Sequence, residues 1–203
     1  MLDGRVVLVT GVEQPLGGGI AAALAEQGAR VVDSPQPDLD ALVHAHIEPA
    51  ALVPRRFTES DDELLSDVWE GTMRMALRLC QAVYPHLVRS GSGRVVFVVP
   101  TLGMSGAANL APLATASEGL RVFAKSTARQ WGQDGITVNC VAVSPVLAGV
   151  DESATGDMAL SAPALGGPGQ PADVAPIVAF LCSKSSHFLT GATLSADGGG
   201  WMA

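Results

Sequence analysis

Tyrosine is almost missing from this chain. Tyr84 is the only one in 203 residues, and aromatic residues together make up 4 %, so a phenol has one place from which to act. Charge is scarce too, and its balance is acidic, with a formal net charge of −8. That excess excludes the electrostatic attraction on which nucleic-acid and anionic-membrane binding rest. No apolar run approaches the roughly 20 residues of a membrane span. The first strand begins almost at the amino terminus, which is expected to leave no room for a signal peptide. The three cysteines, Cys80, Cys140 and Cys182, are far apart and lack the spacing of a disulfide framework or metal site. Buried thiols in a cytoplasmic protein are the reading that follows.

Alanine, glycine and valine are plentiful instead. A length of about 200 residues predicts one domain, 1–203, with a full core. An apolar, weakly charged composition suits a sheet covered on both faces, or a subunit that buries further surface against a neighbour. Arg5–Gly11 reads as a buried parallel strand stopping at a glycine. A turn follows through Pro15, Gly17, Gly18 and Gly19, then a helix from Ile20 to Ala25 and a second strand ending at Val32. This strand–glycine turn–helix–strand order is the first half of a dinucleotide fold, in which glycines let backbone N–H groups approach a pyrophosphate.

Further on, Asp33–Asp38 is a connector with two prolines and Asp40–His46 a short strand. Thr58–Glu63 carries a hydroxyl followed by acids, the chemistry of a helix start, and apolar residues recur at helical spacing from Leu64 to about Leu87. Arg94–Val99 is a buried strand, and a loop through Gly103 and Gly106 leads to a helix from near Pro112 to Trp131. Gly135–Val143 is a strand, Leu147–Pro168 a mobile flap, Pro171–Leu181 a helix and Gly191–Ala196 a last strand. No repeat or interdomain linker is visible.

Several segments, in order, resemble the short-chain dehydrogenase/reductase family over nearly the whole chain. They are Leu8–Gly11, Gly28–Val32, Ser92–Val96, Gly135–Asn139, and Phe188–Leu194 followed by Asp197, Gly198 and Gly199. The resemblance implies a single Rossmann-like doubly wound α/β domain with a mostly parallel sheet. The interval Val32–Ala41 is too short for the family's third strand and the helix before it, so both are expected to be lacking.

The family's reaction is hydride transfer between a nicotinamide and a carbonyl or alcohol. A tyrosine moves the proton, a lysine four residues later tunes it, a serine polarises the carbonyl and an asparagine holds a water. A phenol of pKa about 10 needs a nearby cation to act near neutrality. In this chain the tyrosine and lysine positions fall on Leu113 and Ser117, the serine position on Pro100 and the asparagine position on Val68. None of the four can do the family's chemistry. Tyr84, in a packing segment, is a core or interface aromatic. Thr101, Ser105, Thr115 and Ser117 supply hydroxyls near the same cleft, but with no base or oxyanion partner in view they satisfy loops and helix ends.

The cofactor turn is altered as well. Its middle glycine is Pro15, whose fixed φ and missing N–H are expected to prevent the usual turn. Gly11, Gly17 and Gly19 remain as backbone contacts for NAD(P), and Asp33 is placed either to bind a ribose hydroxyl or to sit as an acidic surface turn. NAD(P) binding is therefore doubtful. His44 and His46 replace two residues of the family's Asn-Asn-Ala-Gly. As alternate strand residues they share a face, and either contact a ligand or fill a polar rim. No third ligand stands nearby, so a metal is not expected. Trp69 and Trp131 lie on the helices that pair across a two-fold axis in the family, as buried aromatics or as interface anchors.

Three functions are compatible with these residues. The first is a non-catalytic subunit, pairing with itself or with an active relative. The second is an enzyme of altered chemistry that uses His44 or His46, and the third an NAD(P)-dependent oxidoreductase by family membership.

Overall fold

A computed structural model describes residues 1–153 and 162–202. Its centre is a six-stranded sheet in the order β2-β1-β3-β4-β5-β6, with every neighbouring pair parallel. The strands are β1 Val6–Thr10, β2 Arg30–Val32, β3 Ala41–His44, β4 Arg94–Pro100, β5 Thr137–Val143 and β6 Thr193–Ala196. The central ones are near-continuous apolar runs because both faces are covered. On β4, Val96 and Val98 enter one apolar layer while Val95, Phe97 and Val99 enter the other. Helices α1 (Pro15–Glu26) and α6 (Pro171–Cys182) pack in the first layer. Helices α3 (Met75–Ser90) and most of α5 (Ala111–Trp131) pack in the second. This is the doubly wound arrangement expected, and the sheet is wholly parallel.

The predicted shortening is equally plain. The residues after Val32 form a proline-bearing connector, and the chain re-enters the sheet directly beside β1, pairing Val7 with Ala41 and Thr10 with His44. That leaves the three-residue β2 as an outer edge. Arg30 pairs with Asp38 of the connector, and Arg89 of α3 donates to the Pro37 carbonyl, so the connector is tied along this side. Short length and charge are common defences of an exposed edge.

Several local expectations need correction. The first helix begins at Pro15, not Ile20. Proline is at home in a first helical turn, where its missing N–H has no partner to lose. The predicted strand to His46 stops at His44. The long helix after Leu64 is interrupted: α2 (Asp62–Trp69) passes through a π-turn, Glu70–Arg74, into α3. There the Thr72 hydroxyl donates to the Val68 carbonyl, and Gly71 leaves room for the Glu48 carboxylate. Asp61, not Thr58, caps α2, its Oδ1 accepting from Leu64 N–H at 2.8 Å. The loop through Gly103 and Gly106 contains a helical turn, α4 (Leu102–Ser105).

The expected flap over 147–168 is only partly within the described residues, since 154–161 lie outside them. Its beginning is packed, with Ala148 and Val150 buried in the core. Its end is anchored where the Ser144 hydroxyl donates to the Pro168 carbonyl.

Candidate functional site

In open α/β sheets the ligand crevice opens beyond the carboxyl ends of the strands, where successive connections leave to opposite faces. Here that point lies between β1, which feeds α1, and β3, which feeds α2 and α3. Its walls are the segments 11–15 and 45–48.

Gly11 has φ +75°, and a Cβ there would lie 2.7 Å from His46 backbone atoms. A Cβ on Gly17 would lie 2.1 Å from the Gly11 carbonyl oxygen. Glycine is required at both positions, and the tight turn forms despite Pro15. Gln14 N–H bonds the Gly11 carbonyl and Gly18 N–H the Gln14 carbonyl. With Pro15 lacking an N–H, Leu16 and Gly17 carry the amides of this turn that have no intrahelical acceptor. Gly19 packs against Pro171 of α6, where a Cβ would stand 2.4 Å from the proline ring. Asp33 is exposed on the rim of a shallow pocket of about 440 Å³ shared with Val12, Arg30 and Gln36.

Two ties span the crevice. The Gln14 carboxamide donates to the Ile47 carbonyl at 2.6 Å and accepts from Ile47 N–H at 2.9 Å. Glu13 and His46 meet at 3.3 Å, with Glu48 3.9 Å from the other ring nitrogen of His46. Beside this histidine, Glu13 is held below the usual carboxylate range, chiefly by a backbone hydrogen bond and further by the imidazole. Gln14 occupies the position before α1 yet makes no capping bond to it. Sequence reasoning missed its role, because a side chain meeting a backbone 33 residues away leaves no period or motif.

His44 does not belong to a polar rim. It is 0 % exposed, its Nδ1 lies 2.8 Å from Thr10 Oγ1, its ring meets Phe97 edge-on, and its Nε2 has no partner. Burial drops its pKa to about 4, with His46 adding to the effect. A neutral ring with its proton on Nδ1 satisfies Thr10 and leaves only a lone pair unmatched, which is more readily tolerated than a buried unpaired N–H. Among the described residues, no group of three or more His, Cys, Asp or Glu is placed to hold a metal.

Val68, Pro100, Leu113 and Ser117 are closed off from solvent, whereas Ser105 and Thr115 are exposed. Val68 is 4 % exposed and Leu113 1 %, both within the apolar cluster that also holds Ile47, Leu110, Ala148 and Val150. Ser117 is 3 % exposed and its hydroxyl donates to the Leu113 carbonyl at 2.7 Å. Pro100 is buried beside Val143. Tyr84 lies away from this region. Its hydroxyl donates to Asp134, which raises its pKa, and its ring packs on Trp131 with centroids 4.9 Å apart. Trp69 is 55 % exposed on the outside of α2, beside a groove of about 410 Å³ shared with Phe57, Leu65 and Met73.

Comparison with known proteins decides the family. A family model described as enoyl-(acyl carrier protein) reductase matches residues 32–200. The 3-oxoacyl-(acyl-carrier-protein) reductase of Vibrio cholerae is 30 % identical over 243 aligned positions, covering 99 % of each chain. This chain belongs to the short-chain dehydrogenase/reductase family.

The corresponding Escherichia coli reductase is 28 % identical, with 98 % of each chain covered. Among solved structures, a protein described as a 2-deoxy-D-gluconate 3-dehydrogenase from Agrobacterium tumefaciens, with NADP bound, superposes with a TM-score of 0.84 at 25 % identity. That match covers 98 % of this chain and 96 % of the other. A dehalogenation enzyme superposes with a TM-score of 0.83 at 28 % identity, covering 99 % and 100 %. The 243 aligned positions exceed the 203 residues of this chain, in keeping with a short-chain dehydrogenase/reductase whose sheet lacks one outer strand.

Proposed function

We propose that this short-chain dehydrogenase/reductase is a non-catalytic member of its family, acting as a subunit of a homo-oligomer or beside an active relative. The observation that carries the reading is the filling of the old cleft. Val68 and Leu113, at the asparagine and tyrosine positions, are packed into one apolar cluster. Ser117, at the lysine position, is tied to the backbone of its own helix. With Pro100 at the serine position, nothing there donates a proton or polarises a carbonyl. Gly11, Gly17, Gly19 and Asp33 keep the outline of an NAD(P) site. Against occupancy stand the side-chain ties across the crevice, the two remaining amides and the absent adenine floor.

The outer face of α2, α3 and α5 favours assembly. It exposes Leu65, Trp69, Leu77, Val88 and Val122, and exposed apolar side chains grouped on one side commonly mark an interface. The start of α2 is acidic (Asp61, Asp62, Glu63) and the ends of α3 and α5 are basic (Arg89, Lys125, Arg129). A two-fold copy laid antiparallel on this face sets acid against base. One domain spanning 1–203 and a cytoplasmic setting for three buried thiols complete the proposal.

The test is to incubate the purified protein with NADH or NADPH and a panel of ketones that includes a 3-oxoacyl thioester, while measuring its mass by analytical ultracentrifugation. No nicotinamide oxidation and a dimer or larger species are expected. Turnover with any panel member overturns the non-catalytic reading. A monomer that captures no co-expressed active relative overturns the subunit role.

A further inference from the structure

We infer that Gln14 is a latch that holds the switch-point crevice shut against a dinucleotide. Beyond the last paired residues of β1 and β3, Thr10 and His44, the two chains should part to leave a ligand crevice. Here they stay joined. The Gln14 carboxamide donates to the Ile47 carbonyl at 2.6 Å and accepts from the Ile47 N–H at 2.9 Å, as a neighbouring strand would. The Glu13–His46 pair reinforces the closure on the solvent side.

The side chain is also diverted from its local duty. A residue preceding a helix normally turns its polar group back onto the first free amides. Gln14 has the extended backbone of such a position, φ −95° and ψ 147°, but makes no capping bond. Its reach across the crevice therefore leaves the Leu16 and Gly17 amides uncapped while obstructing the approach of an anion to them. A ligand entering between the two walls must first break both bonds to Ile47, and its apparent affinity falls by the fraction of molecules in which the latch is open.

The inference stands apart from the loss of catalysis, since a latched crevice and an empty proton relay are separate properties. It is tested by calorimetric titration of NADPH and of NADH into the full chain and into two variants. Gln14→Ala removes the latch. Gln14→Met keeps the length of the side chain without its hydrogen bonds, so the protein retains its packing if the alanine variant folds poorly. Exchange of the Ile47 amide with deuterium reports the latch directly.

Both variants are expected to bind a dinucleotide about tenfold more tightly than the parent, as two net hydrogen bonds imply, with faster exchange at Ile47. Three results overturn the inference: affinity equal to or below the parent's in both variants, no detectable binding in any of the three proteins, or tight parental binding with Ile47 still protected. Tight parental binding without turnover defeats the latch and leaves the non-catalytic reading intact.

Discussion

Replacing His44 with leucine removes a base from the interior, and the consequence is legible as a change in how stability responds to acid. His44 is fully buried, with one ring nitrogen on Thr10 and the other without a partner. Its pKa falls from 6.5 to about 4, first because burial disfavours the charged form and second because of His46. The unfolded chain therefore binds a proton in a window where the folded chain does not. Stability from this group is fully present above about pH 6.5 and is lost as pH falls toward about 4. A difference of that size corresponds to about 3 kcal/mol over the whole window, and about 2 kcal/mol of it is gone by pH 5. Urea unfolding followed by tryptophan fluorescence at pH 7 and pH 5 measures the loss in the parent and in His44→Leu. Carboxylates common to both proteins contribute equally and cancel in the comparison. The parent is expected to lose about 2 kcal/mol more than the variant between the two pH values. Equal losses refute the claim that His44 stays neutral in the fold, whatever the variant's absolute stability.

Leu113→Ala opens a cavity in the apolar cluster that holds Leu113 and Val68 and is expected to destabilise the fold by about 2–5 kcal/mol in urea titration, without any gain of reductase activity. Asp61→Ala removes the bond to Leu64 N–H at the start of α2 and should lower stability by about 1 kcal/mol, read from the shift in the denaturation midpoint. Cys80, Cys140 and Cys182 are buried, and burial pushes each thiol up to about 12. An aromatic disulfide reagent should therefore titrate no thiol in the native protein and all three in urea. Rapid native labelling of any one would contradict the packing around it.

The sequence discloses what rests on continuous patterns. The valine runs of β1 and β4 announce buried parallel strands, and the short interval from Val32 to Ala41 announces the missing strand, because both are properties of consecutive residues. Features decided by contacts between distant residues stay hidden. Whether His44 faces solvent or core depends on its register opposite Thr10, and spacing alone places it on a face without giving that face a depth. Gln14 and Ile47 show nothing in isolation. Pro15 reads as an obstacle until the helix is seen to start on it, where its constraint is an advantage. The π-turn after Trp69 inserts within an otherwise regular apolar spacing, so the sequence reads as one helix through a break. Val68, Pro100, Leu113 and Ser117 could be read from the sequence only as residue types. That Val68 and Leu113 share one apolar cluster needed the fold.

Gly19 and Pro171 meet where α1 crosses α6, two segments separated by most of the chain. During synthesis the first strand–helix unit leaves the ribosome long before the helix that roofs it. Until Pro171 and its neighbours emerge, Leu16, Ile20 and Leu24 lack the helix that covers them. The segment from Pro171 onward is thus the closing piece of a layer begun by the first helix, and carboxy-terminal deletions that remove it should yield insoluble chains.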